Sequence, residues 1–164
     1  MRNCVQGTCG ECGLTAAIAG VESNFALHIN DNFGNRIPGS IDASEFPIVA
    51  ELVNIYNNLT DASTAVVDAG DGTQLLKIKA TASGLYRLTL TIAGDSVHGT
   101  PAVVNVQPDN VAATSSTPDG IPTDAEAGKE IDLKVIARDL WGNVKTGGSV
   151  QWFKAQFTGR QKIA

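Results

Sequence analysis

Few side chains in this 164-residue sequence are of the kinds that do chemistry, and their spacing decides what chemistry is open to them. Cys4, Cys9 and Cys12 follow a C-x4-C-x2-C pattern within the first twelve residues. Such a triplet can close one disulfide with a thiol left over, or supply three thiolates to a zinc site that still needs a fourth ligand. The two histidines, His28 and His98, are remote in sequence and fall in strand-like segments. The spacing therefore favours the tail of a cysteine-rich segment whose partners lie outside this chain, which suits an oxidising compartment; three unpaired surface thiols are the alternative.

Oxygen ligands are the second option. Asp31, Asn32 and Asn35 crowd one turn, and Asp68 and Asp71 another. Loops of this kind at one end of a sandwich can hold Ca²⁺, but neither run is closed by the Glu of a twelve-residue calcium loop. Asx side chains also shape turns with no metal present. Asp31, Asp68 and Asp71 are thus weak metal candidates, and no cofactor is expected. Asn58-Leu59-Thr60 is an N-glycosylation acceptor in a polar stretch. Neither histidine stands in a motif with a nucleophile or paired carboxylates, and no nucleophile elbow, phosphate loop or dinucleotide fingerprint occurs. An enzyme is not expected.

Composition narrows the partners. The chain is 43% apolar and 18% charged, with net charge −5. A basic footprint for nucleic acid or anionic lipid is absent. No apolar run approaches the roughly 20 residues of a membrane helix, so direct membrane insertion is not expected. Leu14–Gly20 is too short and weak to read as the core of a signal peptide.

The elements that must position these residues read as strands. Phe25, Leu27 and Ile29 alternate with Ala26, His28 and Asn30, the mark of a half-buried strand. Ile48 to Tyr56 is a second apolar run after Pro47, read as a strand with a short helix as the alternative. Thr64–Val67 reads as a short strand, and 68–72 as a strong turn. Leu76, Ile78 and Ala80 alternate with Lys77 and Lys79. Tyr86, Leu88, Leu90 and Ile92 face one way while Arg87, Thr89 and Thr91 face the other. Ala102, Val104 and Val106 alternate again after Pro101. Turn signals every eight to fourteen residues or so, with no long helical pattern, predict an all-β antiparallel sandwich.

The opening pattern then returns. Ala19 to Asn35 aligns without gaps on Ala127 to Asn143, with identity at Ala19/Ala127, Gly20/Gly128, Glu22/Glu130, Asp31/Asp139, Gly34/Gly142 and Asn35/Asn143. Phe33 is matched by Trp141. An offset of 108 residues is one sandwich plus a connection, so the chain reads as a tandem array. Residues 1–12 form a Cys-rich segment, 13–107 a complete repeat, 108–126 a Pro/Ser/Thr-rich linker with a candidate first strand, and 127–164 the first half of a second repeat. That half would expose core-facing Leu133, Val135, Trp152 and Phe153.

Four ordered motifs resemble the filamin-type immunoglobulin-like repeat: Gly13-Leu14 to Gly20 followed by Asp31 to Asn35; Asp71-Gly72-Thr73; Gly84-Leu85-Tyr86; and Gly99-Thr100-Pro101-Ala102. Gln74 and Ala102 stand where that family carries aromatics, and Phe46 or Phe33 is expected to fill the volume. Gly34 and Gly142 suit turn positions with positive φ, and Tyr86 is placed like a tyrosine corner. Asn35, Gly72, Pro101 and Asn143 are further structural positions. The resemblance implies peptide binding along an edge between the third and fourth strands, here Ile48, Val49, Leu52, Val53, Ile55, Tyr56, Thr64 and Val66. A glycan on Asn58 would crowd that edge.

The expected function is a non-enzymatic structural or adhesive module of a larger protein, extracellular or at the cell surface. Its partners would be other protein chains or neighbouring repeats. The alternatives are an intracellular cytoskeletal or ciliary scaffold of the same repeats and, third, a calcium-binding accessory domain.

Overall fold

The computed structural model describes residues 4–6, 16–31, 33–40, 42, 44–59, 61–147 and 156. The eleven strands are β1 (Cys4–Gln6), β2 (Ala16–Ile18), β3 (Ser23–His28), β4 (Ile48–Asn54), β5 (Ala62–Asp68), β6 (Thr73–Ala80), β7 (Gly84–Ile92), β8 (Asp95–Ser96), β9 (Ala102–Gln107), β10 (Thr117–Asp119) and β11 (Lys134–Ile136). No described residue is helical.

Two sheets face each other. One runs β1-β3-β6-β5, the other β2-β9-β7-β4 with β8 added to β7. All pairings are antiparallel except β2 on β9, which is parallel, with Ala16 opposite Asn105 and Ile18 opposite Gln107. The period-2 alternation turns directly into inside and outside. Phe25 and Leu27 of β3, Leu76, Ile78 and Ala80 of β6, Tyr86, Leu88, Leu90 and Ile92 of β7, and Val104 and Val106 of β9 form one buried cluster. Ile48 to Asn54 is strand throughout, paired with Ile92 to Tyr86 of β7, which excludes the helical alternative. The strand stops short of Tyr56 because Ile55–Asn57 turn, with Asn58 N donating to Asn54 O at 3.0 Å. β5 is longer than Thr64–Val67 at each end.

Phe33 and Phe46 do not fill the core. They are 90% and 39% exposed. The core aromatics are Phe25 and Tyr86, the rest of the buried cluster being aliphatic. Gln74 is buried in its own right, its side-chain amide donating to Asp68 Oδ1 at 2.9 Å. A satisfied buried amide carries little penalty, so the position needs no ring from elsewhere.

Tyr86 is fully buried and its hydroxyl donates to Ala82 O at 2.9 Å, four residues upstream, and lies 3.0 Å from Asp61 Oδ1. This ties the start of β7 to the loop before it and to the segment leading into β5. Burial, then the neighbouring Asp61 carboxylate, raise the phenol above its ordinary value of 10.0. Gly72 is the other fixed point: at φ 81° any Cβ would collide with Ile37 O.

The segment 108–126 is more structured than a linker. Val111 bridges Asp139, Ala112 N donates to Arg138 O at 2.8 Å, and β10 pairs with β11. One strand, β10, lies within it. Trp152, Phe153, Cys9, Cys12, Gly13, Leu14, Asn32 and Thr60 lie outside the described residues.

Tyr86→Phe should lower stability by about 1–3 kcal/mol, since it leaves a buried carbonyl without its donor. Because the folded pKa is raised, the hydroxyl's contribution is complete below the unfolded value near 10 and is lost as pH rises through the folded value. Urea melts from pH 8 to 11 should show that loss in the wild type and not in Tyr86→Phe.

Candidate functional site

The turn after β3 and the turn after β11 are built alike. In the first, Asp31 Oδ1 accepts from Phe33 N at 2.9 Å and Asn35 N at 2.8 Å, and Oδ2 accepts from Asn35 Nδ2 at 2.9 Å. In the second, Asp139 Oδ1 accepts from Trp141 N and Asn143 N, each at 2.9 Å, and Oδ2 from Asn143 Nδ2 at 2.8 Å. Gly34 N and Gly142 N donate to the aspartate carbonyls at 3.1 Å, with φ of 90° and 87°. One carboxylate thus organises five residues, and only a residue tolerant of positive φ fits the fourth.

Surroundings separate the two copies. Asp139 is fully buried and its Oδ2 also accepts from Asp109 N at 3.0 Å. Burial alone would raise its pKa, but the Asn143 side chain and the backbone donors outweigh it and hold it below the ordinary carboxylate value of 3.8. Asn143 reaches back to the first sandwich: its Nδ2 donates to Thr81 O at 2.8 Å and its Oδ1 accepts from Ser83 N at 2.8 Å. The Trp141 indole lies against Gly20, where an added Cβ would collide with the ring and sit 2.8 Å from Cζ2. Lys145 Nζ donates to Pro108 O at 3.1 Å and Asp109 O at 3.0 Å. Trp141 and Asn143 together clasp the 139–143 turn onto one end of the first sandwich.

The residues expected to line a partner edge fall on β4, on the turn after it and on β5. β4 and β5 are the terminal strands of opposite sheets and lie side by side. Thr64 Oγ1 donates to Ala50 O at 2.8 Å across the gap. Since backbone groups of an antiparallel strand alternate in direction, this places the polar groups of Ile48, Ala50 and Leu52 on the side away from β7. Val49 and Tyr56 are exposed, as is Ile55; Val53 and Ile48 are half-buried, and Val66 packs against the core. Leu52 does not belong to the contact surface: it is 2% exposed and part of the core. Asn58 is exposed on the adjoining turn, at φ 54°.

The weak metal candidates are occupied with turn chemistry. Asp71 accepts from Thr73 N at 3.0 Å and pairs with Arg36 at 3.3 Å, and the Thr73 hydrogen bonds, with a smaller part from Arg36, lower its pKa. Asp68 accepts from Gly70 N, Gln74 and the Ser40 hydroxyl. Among the described residues no three His, Cys, Asp or Glu side chains group as metal ligands. The cysteines are not all remote from histidine, as their spacing suggested: the β1–β3 ladder sets Cys4 opposite His28. His28 Nδ1 is a buried side-chain atom with no hydrogen-bond partner among the described residues. Among the described residues no helix is long and apolar enough to cross a membrane. The clasp contacts were missed in the sequence, although the identity of Asp31/Asp139 and Asn35/Asn143 was the signal that marked them.

No family model matches the chain, and no curated protein matches it. Solved structures do. The filamin domain of Lin-41 superposes at TM-score 0.51 and 15% identity, over 64% of this chain and 91% of that one. Invasin, a bacterial integrin-binding protein, gives 0.62 and 18% over 90% of this chain and 28% of that one. FdeC, an Escherichia coli adhesin, gives 0.59 and 20% over 80% and 40%. The chain spans less than half the length of these two bacterial proteins. The fold is that of the filamin-type immunoglobulin-like repeat.

Asn143→Ala should weaken the clasp by about 1–3 kcal/mol, because Ser83 N and Thr81 O lose their partner. In a Trp152→Phe background, Trp141 emission should shift to the red as the indole leaves Gly20. Acid should do the same in the parent chain: Asp139 is depressed in the fold, so its stabilisation is present above 3.8 and lost as pH falls through the lower folded value.

Proposed function

We propose that this chain is a non-enzymatic structural and adhesive module of a larger protein, displayed at the cell surface, where it spaces neighbouring units and offers a strand edge to a protein partner. The observation that carries the reading is the clasp: Asn143 bound to both Thr81 and Ser83 makes the second unit a fixed extension of the first. A spacer needs that rigidity. The surface placement is supported by the shared fold with invasin and FdeC, an integrin-binding protein and an adhesin. An intracellular scaffold is the second reading, supported by the shared fold with the Lin-41 filamin domain.

The partner site of this proposal is the β4–β5 edge, where an extended peptide would add a strand through backbone hydrogen bonds. Val49 and Tyr56 supply exposed apolar contact, and the Thr64–Ala50 hydrogen bond bars the middle of the gap. An incoming strand must displace it.

Two experiments test the proposal. A membrane-impermeant amine reagent should modify Lys79 and Lys129 of the parent protein on intact cells; modification only after lysis supports the scaffold instead. Thr64→Val should raise capture of displayed extended peptides about fivefold, as one hydrogen bond of about 1 kcal/mol no longer opposes entry. Adding Val49→Lys should abolish capture, and unchanged binding in both variants excludes this edge.

A further inference from the structure

The two Asp–Gly–Asn turns have the same internal hydrogen bonds and opposite fates. Trp141 and Asn143 are seated on Gly20, Thr81 and Ser83. Phe33 and Asn35 occupy the same positions in the first turn, and both are exposed, Phe33 at 90% against 46% for Trp141. Asn35 Nδ2 is spent on Asp31, as Asn143 Nδ2 is on Asp139, but Asn35 Oδ1 has no partner among the described residues, where Asn143 Oδ1 holds Ser83 N. A phenylalanine this exposed, beside a fixed amide, is a surface without its counterpart.

We propose that the Phe33–Asn35 turn is a docking knob for the end of another repeat of this type, an end presenting a positive-φ glycine, a carbonyl and a backbone N–H as Gly20, Thr81 and Ser83 do. The occupant is set by the copy already seated within the chain. Polarity agrees: the β3–β6 ladder puts Ser23 against Ile78 and His28 against Thr73, so the Phe33 turn and the Gly20 socket lie at opposite ends of one sandwich. The contact is therefore head-to-tail, a heterologous interface that translates along an array. The socket glycine is also repeated. Gly128 has φ 82° against 78° for Gly20, and no described residue lies within 4 Å of where its Cβ would stand, whereas Gly20 is covered by the indole. The inference holds in whichever compartment the protein resides, because it rests on the turns alone.

A loop exchange inside the full chain tests it. Leu140→Asn with Trp141→Phe converts the seated turn into Asp-Asn-Phe-Gly-Asn, the sequence of the first turn. The readout is hydrogen exchange at the Ser83 amide, with Asn143→Ala as the undocked reference and β7 core amides as the control for folding. Asn143→Ala should speed Ser83 exchange roughly tenfold or more, the effect of losing one hydrogen bond and its docking. The exchanged turn should keep Ser83 within about threefold of the parent if the Phe-and-Asn knob fits this socket. Ser83 exchange as fast as in Asn143→Ala, with β7 still protected, overturns the proposal.

Discussion

A carboxylate with no access to water must find all its partners inside the protein, and Asp139 is such a group. Its four donors come from Trp141, Asn143 twice, and Asp109. Two parts of the chain thirty residues apart are therefore held to one side chain, and Asn143, locked by the same carboxylate, has its remaining polar groups aimed at the first sandwich. Remove the charge and each of these contacts loses its anchor. None of the aspartate's hydrogen bonds among the described residues reaches the first sandwich, yet through Asn143 it fixes how the 139–143 turn meets that sandwich.

The same turn after β3 carries a different load. Asp31 is half-exposed, and the Asn35 hydrogen bonds lower its pKa without a burial comparable to that of Asp139. Local chemistry is enough to form the turn; burial of the carboxylate comes only when a second surface closes over it. Sequence identity between two turns thus specifies shape, while the neighbours decide whether the shape becomes an interface.

This distinction explains what was legible beforehand. Strand identity followed from alternation, because each buried apolar side chain of β3, β6, β7 and β9 sits two residues from the next. Tyr86 could be placed for a related reason: its partner is four residues away, so the interaction is local. Non-local facts were not legible. The seating of Trp141 on Gly20 joins segments far apart in sequence, and no periodicity encodes it. Phe33 misled because hydrophobicity argues for burial, whereas its place in the turn, set by Asp31, points it outward. Leu52 misled the other way: apolar runs at an edge alternate too, and half of their residues belong to the core.

The parallel pairing of β2 with β9 has a mechanical consequence. Ala16 lies opposite Asn105 and Ile18 opposite Gln107, with Ala19 N donating to Gln107 O at 2.8 Å. β1 precedes this pair on the other sheet, and the chain runs on towards β10 from the trailing end of β9. A pull applied between the leading end of β2 and the trailing end of β9 would draw the two strands in opposite directions along their own axes. The hydrogen bonds between them are loaded in shear, all at once, instead of peeling apart one by one. A short pair of strands in that arrangement resists extension far better than its length suggests, and it guards the buried sandwich behind it.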